Sequence, residues 1–385
     1  MSRLPSRLLL APLIALGSLA RLKGKRGYPA HPQRILIAHH LLLGDTLMLA
    51  GLLAKLRHLY PQAEIVMSCP KAIVPLFAAR PWGVTALPYD PRDVRTLLKL
   101  ATQRGFDLAF VPGDSRHSLL ARALGARHVV AQAGDKPKYK NWFVDEQRAW
   151  PEKPSALTEV FAALAQGTDA PAYTPEQWPL ATSRQIEAIH GPYAVLHLGA
   201  SSPLKLWAPE RWRALADALH AKGIQPVWSA GKNETDLVSA ADPLSHYRSC
   251  AGELDLLQLA HLLRSARLLV SPDTGIAHLG RIMATPTLTL FGPGSEVLCA
   301  HSAFFANSPA LSLSVPAPCR NQHTIFRRHI KWVKRCGRGF DNSGQTPNDP
   351  QAAKCGQALC MAGITFEDAL AAAGQLLQNR YLSES

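Results

Sequence analysis

Ser271-Pro272-Asp273-Thr274-Gly275-Ile276-Ala277-His278-Leu279-Gly280 lies between two short apolar runs, Ala266–Val270 and Thr287–Phe291. This pattern predicts a strand, a tight loop, a helix and a second strand, which is one βαβ unit. The unit constrains the fold strongly, because parallel strands need crossover helices that bury both faces of the sheet. Its loop leaves the carboxyl end of a strand and opens a helix. Open α/β sheets bind phosphorylated ligands at such points, since unpaired helical N–H groups face outward there. Gly275 lets a ligand approach the backbone, Thr274 offers a hydroxyl, and Asp273 is expected to cap the helix or hold a ligand hydroxyl. His278 falls one turn after Thr274, on the same helical face. Taken alone, these residues suit an ordinary capped helix equally well.

The same alternation runs through most of the chain. Ile35–His39 reads as a buried parallel strand, Leu43-Gly44-Asp45-Thr46 as the turn after it, and Leu47–Leu59 as a buried helix. Further strands are expected at Ala63–Met67, Val84–Leu87, Leu108–Val111 and His128–Ala131, with helices near Val94–Arg104 and His117–Leu124. A second series starts at Tyr193–Leu198. It continues with Gly199-Ala200-Ser201-Ser202, then Lys205 and Trp207, a helix over Pro209–Ala221 and a strand over Ile224–Ser229. A helix over Leu254–Ser265 leads into the βαβ unit. Between the series, Pro171, Pro175 and Pro179 mark a linker, and a helix is expected over Ala156–Ala165. The expected division is a basic amphipathic segment over 1–33, a first domain over 34–175, a linker over 176–192 and a second domain over 193–385. The fold class is therefore α/β, two doubly wound Rossmann-like domains facing a central cleft.

A length of 385 residues suits two domains, and an apolar fraction of 47% is ample for two cores. The formal net charge of +14 points to an anionic partner. The charge concentrates in two acid-free stretches, residues 1–30 and 320–338, which suits an anionic membrane surface. Leu8–Ala20 is apolar between Arg7 and Arg21 but too short to span a bilayer. It resembles a signal peptide; an interfacial helix on the cytoplasmic leaflet fits the rest of the chain better. The 7 cysteines are an odd number, without CxxC spacing, which fits a reducing compartment. Cys319, Cys336, Cys355 and Cys360 are denser and allow a metal-bound finger; free cysteines in a loop-rich tail are the simpler reading.

Four loops at carboxyl ends of expected strands carry the chemistry: Gly44-Asp45, Gly199 to Lys205, Gly231 to Glu234, and Asp273 to His278. There is no GxGxxG, P-loop, HExxH or GxSxG motif and no Asp-x-Asp pair. The basic charge comes with no nucleic-acid-binding motif, so nucleic acid is not an expected partner.

These loops, in this order and followed by Phe291-Gly292-Pro293, resemble the heptosyltransferases of glycosyltransferase family 9. The resemblance covers roughly residues 34–295. It implies a GT-B fold, with acceptor bound by the N-terminal domain and nucleotide-sugar by the C-terminal domain. It also implies an inverting, metal-independent transfer of heptose from ADP-heptose to a lipopolysaccharide core acceptor, without a cofactor. By the same resemblance Asp45 is the general base and Lys205 stabilises the diphosphate. Glu234 contacts the nucleoside, Thr274 and Gly275 hold phosphate, Asp273 binds the sugar and His278 supports its loop. Gly44, Gly199 and Ser201 belong to the substrate-binding turns. The implied location is cytoplasmic, peripheral to the inner membrane. One departure stands out: the family has a basic residue and small hydroxyl residues before Gly-Asp, and this chain has His39-His40-Leu41-Leu42-Leu43. That departure leaves room for another nucleotide-sugar, a protein acceptor, or a non-catalytic membrane-associated homologue.

Overall fold

The structure is a computed structural model that describes residues 27–300, 302–317, 319–336 and 358–384. The expectations for the amphipathic segment before residue 27 and for Cys355 lie outside the described residues. Two compact units divide the chain. Of the described residues, the first takes in those up to Pro171, then Glu176–Ala181 and Thr324–Ile330; the second takes in Ala172–Pro175, those from Thr182 to His323 and those from Lys331.

The first unit is built on six strands: β1 (Arg34–Ala38), β2 (Glu64–Cys69), β3 (Val84–Pro88), β4 (Leu108–Val111), β5 (His128–Gln132) and β6 (Glu146–Arg148). All pair in parallel, in the order β3-β2-β1-β4-β5-β6. Ile35, Leu36, Ile37 and Ala38 are fully buried, which only a sheet covered on both faces permits. The expected turn at Leu43–Thr46 is instead the start of a short helix, Leu43–Leu47, followed after a break by the helix Ala50–Leu59. Gly44 and Asp45 therefore sit in a first helical turn.

The second unit repeats the plan with β7 (Tyr193–His197), β8 (Gln225–Ser229), β9 (Arg248–Ser249), β10 (Leu268–Pro272), β11 (Thr287–Phe291) and β12 (Ala310–Ser314). Its parallel order is β12-β11-β10-β7-β8-β9. Numbered within each unit, both sheets have the order 3-2-1-4-5-6 of doubly wound nucleotide-binding folds. The order reverses between β1 and β4 in one unit and between β7 and β10 in the other, so the loops after those strands flank the binding crevice.

Two segments depart from the expected plan. Residues 176–181 belong to the first unit, where Trp178 is fully buried and donates from Nε1 to the Leu76 carbonyl at 3.1 Å. The first unit also holds an antiparallel hairpin from far down the chain, β13 (Thr324–Ile325) and β14 (Arg328–His329). The described part of the cationic run over 320–336 is thus only partly available to an anionic surface. Arg328 is buried, and Arg320 donates to the carbonyls of Phe291 and Gly292 at 3.1 and 3.0 Å.

Candidate active site

In the first unit the loops after β1 and β4 line a cavity of about 440 Å³. His40, Leu41, Leu42 and Asp45 come from the first loop, and Asp114, Arg116 and His117 from the second. Tyr89, Leu97, Leu119, Leu120 and Phe326 add further wall. The entry to the helix is fixed by Thr46, whose Oγ1 donates to the Leu42 carbonyl at 2.9 Å. Asp45, half-buried in the same helical turn, lines the cavity. His39, by contrast, points away from solvent: it is fully buried, and its Nδ1 accepts from the Leu41 amide at 3.1 Å. Burial, then the charges of His117 and His40, hold its pKa well below the ordinary histidine value.

A buried ion network stands behind the second loop. Lys140 is 3% exposed and its Nζ lies 3.1 Å from Asp114 and 2.9 Å from Asp135. Asp114 also accepts from the Arg116 Nε at 2.8 Å and amide at 3.0 Å. Burial alone would raise the pKa of Asp114, but these hydrogen bonds and charges outweigh it and hold the carboxyl below the usual range.

In the second unit the loops after β8, β7, β10 and β11 stand side by side, because those strands are neighbours. Lys205, 7% exposed, donates from Nζ to the Asp273 carbonyl at 2.5 Å and to its Oδ2 at 3.1 Å. This one side chain ties the two loops that flank the switch point. Lys205 is therefore not a solvated loop lysine. Asp273 is not the helix cap either: Thr274 takes that position, its Oγ1 accepting from the Ile276 amide at 3.3 Å. The reason is spatial, since the Asp273 carboxylate is turned back to the lysine. Gly275 opens the helix Gly275–Ile282.

Glu234 braces the loops after β7 and β8: Oε1 accepts from the Ala200 amide at 3.0 Å and Oε2 from the Gly231 amide at 2.9 Å. A Cβ at Gly199 or Gly231 would stand 2.1 or 2.5 Å from that Oε2, so a side chain at either position would push the carboxylate out of its place. Ser201 is exposed, whereas its neighbour Ser202 is buried and caps the turn that carries Lys205. His278 is buried; burial first, then the Arg281 charge, push its pKa down to about 3, so it is neutral at physiological pH.

Asp273, His278 and Cys299 bring three ligand atoms within 4.8 Å of one another. Their chemistry suits a soft divalent ion. The Lys205 ammonium already occupies the Asp273 carboxylate, and the largely buried Arg281 also faces Asp273, so local charge opposes a cation there.

The profile of glycosyltransferase family 9 (heptosyltransferase) matches residues 94–328. That is more than half of the chain. The chain belongs to glycosyltransferase family 9. It is 25% identical over 277 residues to the lipopolysaccharide core heptosyltransferase OpsX of Haemophilus influenzae, covering 68% of this chain and 79% of that protein. The structure of the Escherichia coli ADP-heptose lps heptosyltransferase II superposes with a TM-score of 0.63 at 18% identity, covering 91% of this chain and 99% of that one. A glycosyltransferase family 9 structure from Veillonella parvula gives 0.64 at 15% identity, over 92% and 100%. The protein is accordingly a glycosyltransferase, with the GT-B fold class that its loops suggested.

Within this family 9 chain, the sequence-predicted residues fall into two groups. Lys205, Asp273, Thr274, Gly275 and His278 gather around β10, and Gly199, Ser201 and Glu234 adjoin them through the loops after β7 and β8. Gly44 and Asp45 belong to the first unit. Sequence reasoning missed Asp114, Arg116, His117, Tyr89 and Phe326. Gly113-Asp114 after β4 repeats the glycine-acid pattern of Gly44-Asp45 and was open to the same reasoning. Phe326 carries no such signal.

Proposed function

We propose that this family 9 protein is an inverting transferase that moves heptose from ADP-heptose to a lipopolysaccharide core acceptor without a metal ion. The observation that carries the reading is the buried Lys205 ammonium held beside the Thr274 helix start. It places fixed positive charge and outward N–H groups together, which is what a departing diphosphate needs. OpsX and heptosyltransferase II, named for heptose transfer to lipopolysaccharide, support the donor and acceptor classes.

In this reading Asp45 removes the proton of the acceptor hydroxyl. The acceptor oxygen forms a bond to the anomeric carbon as the bond from that carbon to the phosphate oxygen breaks. The configuration inverts, and ADP carries away the electron pair. Lys205 and the amides at Thr274 and Gly275 stabilise its charge. Asp273 binds the sugar, Glu234 holds the nucleoside loops in place, and His278 remains neutral beneath Asp273. The acceptor is lipid-linked, and the protein works at the anionic cytoplasmic face of the inner membrane, as its net charge of +14 favours.

The test is transfer from ADP-heptose in the presence of a chelator, with unsubstituted protein and Asp45→Asn. The reading expects chelator-resistant transfer, lost in Asp45→Asn while ADP binding persists. Full transfer by that variant removes Asp45 from the mechanism. A second reading, a different acceptor such as a protein side chain, is favoured by Leu41, Leu42, Leu119 and Leu120 around Asp45. Competition between core oligosaccharide and peptide acceptors separates the two.

A further inference from the structure

The hairpin of the first unit has a turn that its residues do not suit. Ile325 pairs with Arg328, which leaves Phe326 and Arg327 as a two-residue loop. Their φ angles are 45° and 61°. Two-residue hairpin loops with both angles positive favour Asn-Gly, since bulky side chains there strain the backbone. Such strain persists where surrounding structure over-determines it, and it gathers at functional sites.

Arg328 supplies the over-determination. It is 1% exposed, and its guanidinium donates to the carbonyls of Ala133 at 2.8 Å, Gly113 at 2.5 Å and Gln132 at 3.0 Å, and to the Ser115 hydroxyl at 3.1 Å. It also lies 3.5 Å from the buried Asp135 carboxylate. What the clamp presents is the ring of Phe326. The ring packs against Phe161 at 6.2 Å between centroids and forms one wall of the cavity that Asp45 lines. Phe326 remains half-buried, so part of its ring is open to the cavity.

We propose that Phe326 is a specificity-determining residue for the acceptor. Its ring offers a stacking face to the C–H side of a saccharide ring whose hydroxyl reaches Asp45. The turn keeps an unfavourable backbone because an aromatic side chain is needed at that point of the cavity. Arg328 is the positioning residue that holds it there. The inference rests on reading the Asp45 cavity as the acceptor side.

The experiment replaces the turn with the residues its backbone prefers, F326N together with R327G, and compares it with F326W. Melting temperature, ADP affinity and the affinity for deacylated lipopolysaccharide core oligosaccharide are measured by scanning and titration calorimetry. The acceptor KM is measured in transfer assays. The turn variant is expected to melt at or above the temperature of the unsubstituted protein, to keep its ADP affinity, to bind oligosaccharide about tenfold more weakly and to show an acceptor KM about tenfold higher. F326W is expected to stay within about threefold of the unsubstituted protein. Unchanged oligosaccharide affinity in the turn variant overturns the proposal. A lower melting temperature with an equal loss of ADP binding also overturns it, since that is the mark of a structural role. If the unsubstituted protein binds no oligosaccharide at all, the reading of the cavity fails and the inference with it. If binding is normal but Asp45→Asn still transfers, only the mechanism fails.

Discussion

The Nζ of Lys205 stands 3.1 Å from the Oδ2 of Asp273, with both side chains less than a tenth exposed. The pair joins the loop after β7 to the loop after β10, at the point where the order of the sheet reverses. A buried ion pair of this kind adds little stability relative to a well-packed apolar pair, whereas removing one partner leaves a buried charge exposed to the cost of burial alone.

Lys205→Met is therefore expected to act on both stability and turnover. It strands the Asp273 carboxylate, at a cost of about 3–5 kcal/mol. It also removes the cation that meets the departing diphosphate, which should lower kcat by roughly 10²- to 10³-fold. Urea unfolding and steady-state transfer assays measure the two effects. A variant that unfolds normally and retains kcat would leave Lys205 without its proposed part.

Glu234→Gln tests the brace between the loops after β7 and β8. The carboxylate accepts from two amides, and a carboxamide can accept with only one of its two terminal atoms. One amide is left facing an NH₂ group, at a cost of about 1–3 kcal/mol. Gly199→Ala should do comparable damage from the other side, because its Cβ would stand 2.1 Å from Oε2. Both variants are expected to weaken ADP binding in titration calorimetry while leaving the first unit's oligosaccharide affinity unchanged.

Acid should destabilise the protein through its buried histidines. The pKa of His278 is pushed down to about 3 and that of His197 to about 4, burial being the largest cause for each. Both are neutral in the folded chain and take up a proton near pH 6.5 once unfolded. Their stabilising contribution is complete above pH 6.5 and is lost as pH falls from there toward the folded values. Each histidine contributes a slope of about 1.4 kcal/mol per pH unit within that window. Urea midpoints between pH 7 and pH 5 report the slope, and His278→Gln should reduce it. An unaltered slope in that variant would mean that His278 is protonated in the folded protein.

Gly280→Ala tests packing beneath the site. The added Cβ would lie 2.5 Å from Leu269 Cδ2 and 2.6 Å from Thr287 Oγ1, both on fully buried side chains that would have to shift. A loss of about 1–3 kcal/mol is expected, measured as a lower thermal midpoint. The helix that presents Thr274 and Gly275 would shift with it, so ADP affinity should fall in parallel.

Much of this architecture was legible because its signals are local. Ile35–Ala38, Leu268–Pro272 and Thr287–Phe291 are near-continuous apolar runs, and their helices follow at regular intervals. Such runs identify parallel strands whatever their partners. The positions of the second unit's loops were legible for a related reason: glycine, lysine and acid residues cluster where the apolar runs end. Where only spatial neighbours decide an outcome, local reading left it open or missed it. Asp273 was expected to cap its helix or hold a ligand hydroxyl, and of the two the cap is excluded, because Lys205 claims its carboxylate and Thr274 caps instead. Arg328 belonged to a basic run that suited an anionic surface, and it is buried among carbonyl groups of another part of the chain.

The sequence by itself determined the strand and helix periodicity, the two doubly wound units and the loops that carry glycine and acid. Each depends on residues close together along the chain. The tertiary structure alone decided which loops meet. It set Lys205 on Asp273, Glu234 on the amides of Ala200 and Gly231, and Phe326 in the cavity with Asp45. The physical reason is that sheet order and burial, rather than propensity, assign a polar side chain its partner. A lysine that lies within reach of a buried carboxylate and carbonyl cannot remain in solvent once the strands on either side of it have paired.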